Sequence, residues 1–309
     1  MGIYIEQGQN IAIKNCTLRN MGILGICLGK GVSKNAKNTH NFTGTPISRA
    51  LGSWHEHVYE NPGYNRKAGK NHVIADCTIY NMGAGGISIG GGDRFSLERG
   101  NNRVESCEIF NCNRLDRTYK TPINIDGVGN IIRNCEIHNS PGPAIYLHGN
   151  DHLIENNLVY DVMNDGDDMG AFYMGRDPSE FGNIIRNNVF YNIGTTETAH
   201  STFGLYFDDA SCGAEVYGNV FSNVGKHASI FIGGGSYFNI HHNVFIECER
   251  PILIDNRLQN WAKNSLEPGG LFERRLNLVR IDRDPYKSTY PQLTHYWEDR
   301  PSVPSNVIR

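Results

Sequence analysis

Nowhere in these 309 residues does an apolar stretch approach the roughly 18 to 20 continuous residues that a membrane-spanning helix needs. Basic residues are not in excess either. The 29 Lys and Arg stand against 32 Asp and Glu, a net charge of −3, so there is no basic stripe for nucleic acid and no like-charged tail. None of the eight cysteines shows CxxC spacing, which removes the usual framework for structural zinc. His55-Glu56-His57 and His241-His242 lack a third spaced ligand. The glycine triplets Gly90-Gly91-Gly92 and Gly233-Gly234-Gly235 lack the Lys-Ser/Thr that completes a phosphate loop. The start, Met1-Gly2-Ile3-Tyr4-Ile5, has no basic segment followed by an apolar one, so no signal peptide is visible. It enters a strand almost at once, and upstream sequence is therefore expected before it.

What the chain has is a motif that returns about eight times. Two branched or aromatic residues flank a third, a polar turn follows, and a second short run holds Asn-Cys-x-Ile or Asn-Asn-Val-Phe. The first half reads Ile87-Ser88-Ile89, Ile123-Asn124-Ile125, Ile145-Tyr146-Leu147, Phe172-Tyr173-Met174, Leu205-Tyr206-Phe207, Ile230-Phe231-Ile232 and Ile252-Leu253-Ile254. Strand alternation turns the outer two residues of each triplet inward and the middle one outward. Stacking the triplets buries an apolar column and builds an outer wall, so the pattern predicts an all-β parallel β-helix with loop insertions on one face.

The second half of the motif aligns Cys16, Cys77, Cys107 and Cys135 with Asn157, Asn188, Asn219 and Asn243 on one inward rung. Four residues on lies a polar column: Asn20, Asn81, Asn111, Asn139, Asp161, Asn192, Asn223 and Glu247. Such ladders satisfy backbone groups from coil to coil. The four rung cysteines are expected as small buried thiols. The shortest rung spacing, 22 residues from 135 to 157, is about one bare coil, and longer spacings place loops at 112–121, 163–170 and 194–203. One domain is expected over 1–257, with an insertion at about 30–70 that carries Trp54, His55, His57, Tyr59, Tyr64 and Arg66. Residues 258–309 are expected as an irregular C-terminal segment packed on the helix.

The outward middle residues include Asn124, Tyr146, Tyr173 and Tyr206, and the next outward position includes Asp126, His148 and Asp208. Stacked tyrosines with polar handles form an aromatic platform of the kind that binds sugar rings. Asp165-Gly166-Asp167-Asp168 precedes one strand, and Asp208-Asp209 ends the strand of the next coil. Coils lie about 4.8 Å apart, which allows carboxylates from the two clusters to approach the roughly 5 to 9.5 Å separation used in glycoside hydrolysis. Arg176 stands on an adjacent turn, where it can hold a substrate hydroxyl or carboxylate. Solvated turn aspartates or a calcium site are the alternatives for the clusters.

These residues resemble the right-handed parallel β-helix proteins of bacterial glycan degradation, most of all glycoside hydrolase family 141. The resemblance rests on Arg117-Thr118-Tyr119, Asn124-Ile125-Asp126-Gly127-Val128-Gly129-Asn130, His148-Gly149-Asn150-Asp151-His152-Leu153-Ile154-Glu155, the stretch from Asp167 to Asp177, and Tyr206-Phe207-Asp208-Asp209. It implies a secreted or periplasmic enzyme acting on plant cell-wall glycans as a fucosidase or xylanase. One catalytic Asp would come from each cluster: Asp168 rather than Asp167, and Asp208 or Asp209. It also implies substrate contacts from Asn124, Asp126, Tyr146, His148, Tyr173, Arg176 and Tyr206, no cofactor and a monomer. Family members carry a longer region before the helix than this chain does. A calcium-dependent polysaccharide lyase and a non-catalytic glycan-binding solenoid remain the rival readings.

Overall fold

The computed structural model describes residues 1–29, 64–66, 69–194, 201–299 and 305–309. Most of the insertion at 30–70, with Trp54, His55, His57 and Tyr59, therefore lies outside the described residues. Three long sheets carry the coils: two of nine strands and one of eight. The first runs from Ile3–Ile5 to Ile252–Asp255 and contains every predicted triplet. Its strands pair in parallel and in strict register, Ile87 with Ile123, then Ile145, Phe172, Leu205, Ile230 and Ile252. The chain is a parallel β-helix. Its interior is a continuous apolar column, with Ile26, Ile87, Ile123, Ile145, Phe172, Leu205 and Ile230 inaccessible to solvent.

The corners are fixed by the polar ladders. Asn20, Asn81, Asn111, Asn139, Asp161, Asn192, Asn223 and Glu247 all take φ between 49° and 59°, the left-handed region that Asn tolerates better than most residues. Asn81 donates to Asn20 Oδ1 at 3.1 Å and Asn223 to Asn192 Oδ1 at 3.0 Å. On the inward rung, Asn188 Oδ1 accepts the Asn157 backbone N–H and side-chain amide, each at 2.9 Å. Asn188 Nδ2 in turn donates to the Ile154 carbonyl at 3.0 Å. The next rung repeats the pattern through Asn219. Cys77, Cys107 and Cys135 are buried in the earlier coils and donate to local carbonyls, while Cys16 is half-buried; none of the eight cysteines forms a disulfide.

Two expectations are corrected. Residues 169–170 and 202–203 are not loop but extend the strands Met169–Gly175 and Thr202–Asp208, because their backbones keep pairing from coil to coil. The C-terminal segment is not irregular. It holds helix α1 (Leu271–Val279) and helix α2 (Tyr286–Thr289), and its last strand, Val307–Ile308, pairs with Asn239–His241. Leu276, Val279, Tyr286 and Tyr290 bury an apolar face against Phe181, Cys212 and Tyr64, which gives the segment its own small core.

Candidate functional site

The outward column is present but it is not an open trough. Ser88, Asn124, Tyr173, Tyr206 and Phe231 are each 5% exposed or less. Over the later coils the strand extensions supply part of this cover. A Cβ on Gly170 would lie 2.9 Å from Tyr206 Cβ, so only glycine permits that approach. Phe203 stacks on Phe231 at 4.7 Å and touches Tyr206 at 4.5 Å between ring centroids. From the preceding loop, Tyr119 packs edge-on against Tyr173 at 5.1 Å. The tyrosine platform is thus a small outer core. What solvent reaches is its rim: half-buried Tyr119, Tyr146 and Asp209, with exposed Asp168 and Arg176.

The two acid clusters are bonded to neighbouring tyrosines of this face. Asp168 ends its loop in a left-handed conformation, φ 56°. Its N–H donates to the Ser201 carbonyl at 2.9 Å, and its Oδ1 accepts the Tyr206 hydroxyl at 3.1 Å. Asp208 is 4% exposed. Its Oδ2 accepts the Tyr173 hydroxyl at 2.6 Å and its Oδ1 accepts Arg257 Nη1 at 2.6 Å. Arg257 also binds Asp209 at 2.7 Å and Asp255 at 3.0 Å. Arg176 Nε lies 3.2 Å from Asp209 and 3.8 Å from Asp208. Gly175 is required here too, since a Cβ would sit 2.9 Å from Asp208 Cβ and 3.3 Å from the Tyr173 hydroxyl.

Electrostatics agree with this arrangement. Burial raises the Tyr119 phenol, and the charges of Asp168 and then Asp208 raise it further. Tyr206 is raised by burial, then by Asp208 and Asp168. Both carboxylates thus lie within electrostatic range of the same hydroxyls. Tyr119, Tyr173 and Tyr206 consequently stay protonated, and Tyr173 and Tyr206 donate to the two carboxylates. For Arg257 burial works against the charge, but Asp255, Asp209 and Asp208 outweigh it and hold the guanidinium protonated. Arg176 is held in the same way, with Tyr173, Asp208 and Asp209 overcoming its desolvation.

Other predicted site residues fall elsewhere. Asp167 Oδ1 accepts the Ser201 N–H at 3.2 Å and ties two loops together. Asn124 is buried and accepts from Ser88 Oγ at 3.3 Å, and Asp126 is buried as well. His148 is also buried, with Nδ1 3.0 Å from Glu180 Oε1. Asn124, Asp126 and His148 are thus as buried as Tyr173 and Tyr206, and none of the three stands on the solvent-reached rim. Glu180 belongs to a buried cluster around Arg94, which lies 3.2 Å from Asp177 and 3.4 Å from Glu180 and donates to Asn150 at 2.8 Å. The sequence reading missed Arg257, Glu180 and Arg94. Arg257 stands where the repeat ends, and its only signal was Asp255 two residues earlier. Among the described residues, no three His, Cys, Asp or Glu side chains are grouped to hold a metal.

The family described as "Right handed beta helix region" matches residues 121–265. Fibrocystin-L of Mus musculus is 33% identical over 88 residues, which are 26% of this chain and 2% of that protein. A solved structure described as the complex structure of XylC with xylose aligns with a TM-score of 0.39 at 13% identity, over 81% of this chain and 48% of that one. The chain thus spans a small part of the first relative and about half of the second. The matched coils and the parallel register together make this protein a right-handed parallel β-helix.

Proposed function

We propose that the rim is the active site of a glycoside hydrolase, with Asp168 as proton donor to the leaving oxygen and Asp208 as the anionic partner, nucleophile or base. The observation that carries this reading is the pair of tyrosine bridges: Tyr206 bonds Asp168 and Tyr173 bonds Asp208, and the two rings meet at 5.3 Å. Acids from successive coils are thereby fixed to one platform in different surroundings. Asp208 accepts at both oxygens and pairs with a buried guanidinium, which fixes the orientation of its carboxyl group. Asp168 is exposed and has one oxygen free of partners in the bridge, which suits proton exchange with a substrate. Asp209 and Arg176 flank the place where a sugar would lie. The reading needs no cofactor, takes an oligosaccharide or polysaccharide as substrate, and goes with an extracytoplasmic monomer.

A lyase would need Arg176 as a base. Its two aspartate neighbours hold it protonated, which leaves it unsuited to take a proton. The test is a panel of nitrophenyl glycosides and cell-wall polysaccharides offered to the intact protein and to Asp168→Asn and Asp208→Asn. Loss of general acid catalysis should lower turnover by about 10²- to 10⁴-fold in Asp168→Asn. Cleavage that survives both substitutions, or products that absorb in the ultraviolet as unsaturated uronates do, would overturn the hydrolase assignment.

A further inference from the structure

A separate recess of about 580 Å³ lies on the coils before the acid site. Its walls include Asn81, Asn111 and Asn139 from one left-handed corner column, and Asn113, Arg114 and Arg117 from the loop that follows. We propose that this recess is a binding subsite for a carboxylate-bearing sugar, a uronic acid residue within a glycan chain.

Three observations carry the proposal. The first is size, since about 300 to 1,000 Å³ is typical of small-molecule sites. The second is an unsatisfied buried acceptor. Asn113 is fully buried, its amide donates to the Lys120 carbonyl, and its Oδ1 has no hydrogen-bond partner. A buried carbonyl oxygen of this kind asks for a donor, and a sugar hydroxyl supplies one. The third is charge. Arg117 pairs with Asp165, whereas Arg114 is exposed and makes no ion pair among the described residues. A guanidinium fork matches a carboxylate in two parallel hydrogen bonds. The corner amides add donors and acceptors at the spacing of one coil, which suits the paired hydroxyls of a pyranose. The same loop continues to Tyr119 at the acid site, and Asp165, bound to Arg117, lies three residues before Asp168. A chain held in the recess therefore has a short path to the rim.

The inference rests on the hydrolase reading only in calling the ligand part of a substrate, because binding can be measured without turnover. Calorimetric titration of the intact protein should show trigalacturonate binding at least about 10-fold more tightly than xylotriose, as expected for one charge-assisted bidentate contact. Arg114→Gln, at an exposed position, should remove that preference while leaving turnover of a small nitrophenyl glycoside unchanged. Equal affinity for the acidic and neutral sugars, or an acidic preference that survives Arg114→Gln, would overturn the proposal. Inorganic sulfate matching trigalacturonate in affinity would also overturn it, by reducing the recess to a simple anion site. If Asp168→Asn leaves turnover intact while trigalacturonate still binds, the subsite stands and the hydrolase reading falls.

Discussion

Arg257 is the residue on which the acid site depends for charge. It is the cation shared by Asp208, Asp209 and Asp255, and its side chain and that of Asp208 are almost fully buried. Removing one partner of a buried ion pair costs about 3 to 5 kcal/mol. Asp209 and Asp255 are partly hydrated and Arg176 is near, so the lower end applies. Arg257→Ala should therefore lose about 3 kcal/mol in urea unfolding, and a loss below about 1 kcal/mol would mean that the three carboxylates are already well solvated. His152 sets a different limit, on pH. Its Nδ1 accepts from the Asn130 N–H at 3.0 Å, its Nε2 donates to the His148 carbonyl at 2.9 Å, and burial lowers its pKa to about 4. Below the ordinary pKa of about 6.5 the unfolded chain takes up a proton that the folded one refuses. Stability should fall as pH drops from that value toward 4, by up to about 3 kcal/mol. His152→Gln should flatten that part of the unfolding-against-pH curve even if it lowers stability throughout, and an unchanged slope would assign the loss to other groups. Neither residue's role was legible in the sequence. Arg257 lies outside the periodic region, and the burial of His152 depends on packing from distant coils.

Among the elements, the two Asn ladders look alike in sequence and do different work. Asn188 holds the inward rung, and deleting its amide leaves the buried Asn157 N–H, the Asn157 side chain and the Ile154 carbonyl short of partners. At about 1 to 3 kcal/mol for each orphaned group, Asn188→Ala should cost at least about 3 kcal/mol. Asn192 stands at a corner with φ 53°. Asn192→Ala should cost the left-handed penalty of about 1 to 2 kcal/mol plus two solvent-accessible side-chain bonds, to Asp161 and from Asn223. Equal losses in chemical denaturation would show that the inward ladder adds nothing beyond its backbone geometry. Both ladders were visible because one residue type recurs at a fixed offset. A second left-handed column, Asn15, Asp76, Ser106, Asn134, Asn156, Asn187, Gly218 and His242, was not, since it mixes residue types that share only a tolerance for that conformation. The strand extensions escaped notice for a related reason. Asp167-Asp168-Met169-Gly170 reads as a turn, and only the pairing of Met169 with Thr202 in the next coil makes its end a strand. That same extension supplies part of the cover over the tyrosines which alternation alone had placed in solvent.

At the scale of the whole molecule, a β-helix distributes stability between neighbouring coils, and the C-terminal segment breaks that rule by joining coils far apart in sequence. Tyr286 donates to Asn150 at 3.3 Å and Tyr290 to Asp151 at 2.7 Å. Helix α1 reaches Arg176 through Arg275, and Leu276, Val279, Tyr286 and Tyr290 close over Phe181 and Cys212. Each buried apolar side chain is worth about 1.5 to 3 kcal/mol before the entropy of ordering the segment is subtracted. Deleting residues 267–309 spares Arg257 and the inner column. The truncated chain should therefore keep its β-sheet circular dichroism while amide exchange rises around Asn150–His152, Asp177–Gly182 and Ala210–Ala214. The coils at Ile87–Ile89 and Ile109–Ile137 should stay protected, because their neighbours are intact. The buried cluster of Arg94, Asp177 and Glu180 lies directly under this cover, and hydration there would loosen His148 and the loop carrying Arg176 before the sheets themselves melt. Exchange that instead rises evenly through every coil would mean that the terminal segment and the solenoid unfold as one cooperative unit. In that case the acid site owes its geometry to the whole chain and not to the coils that carry it.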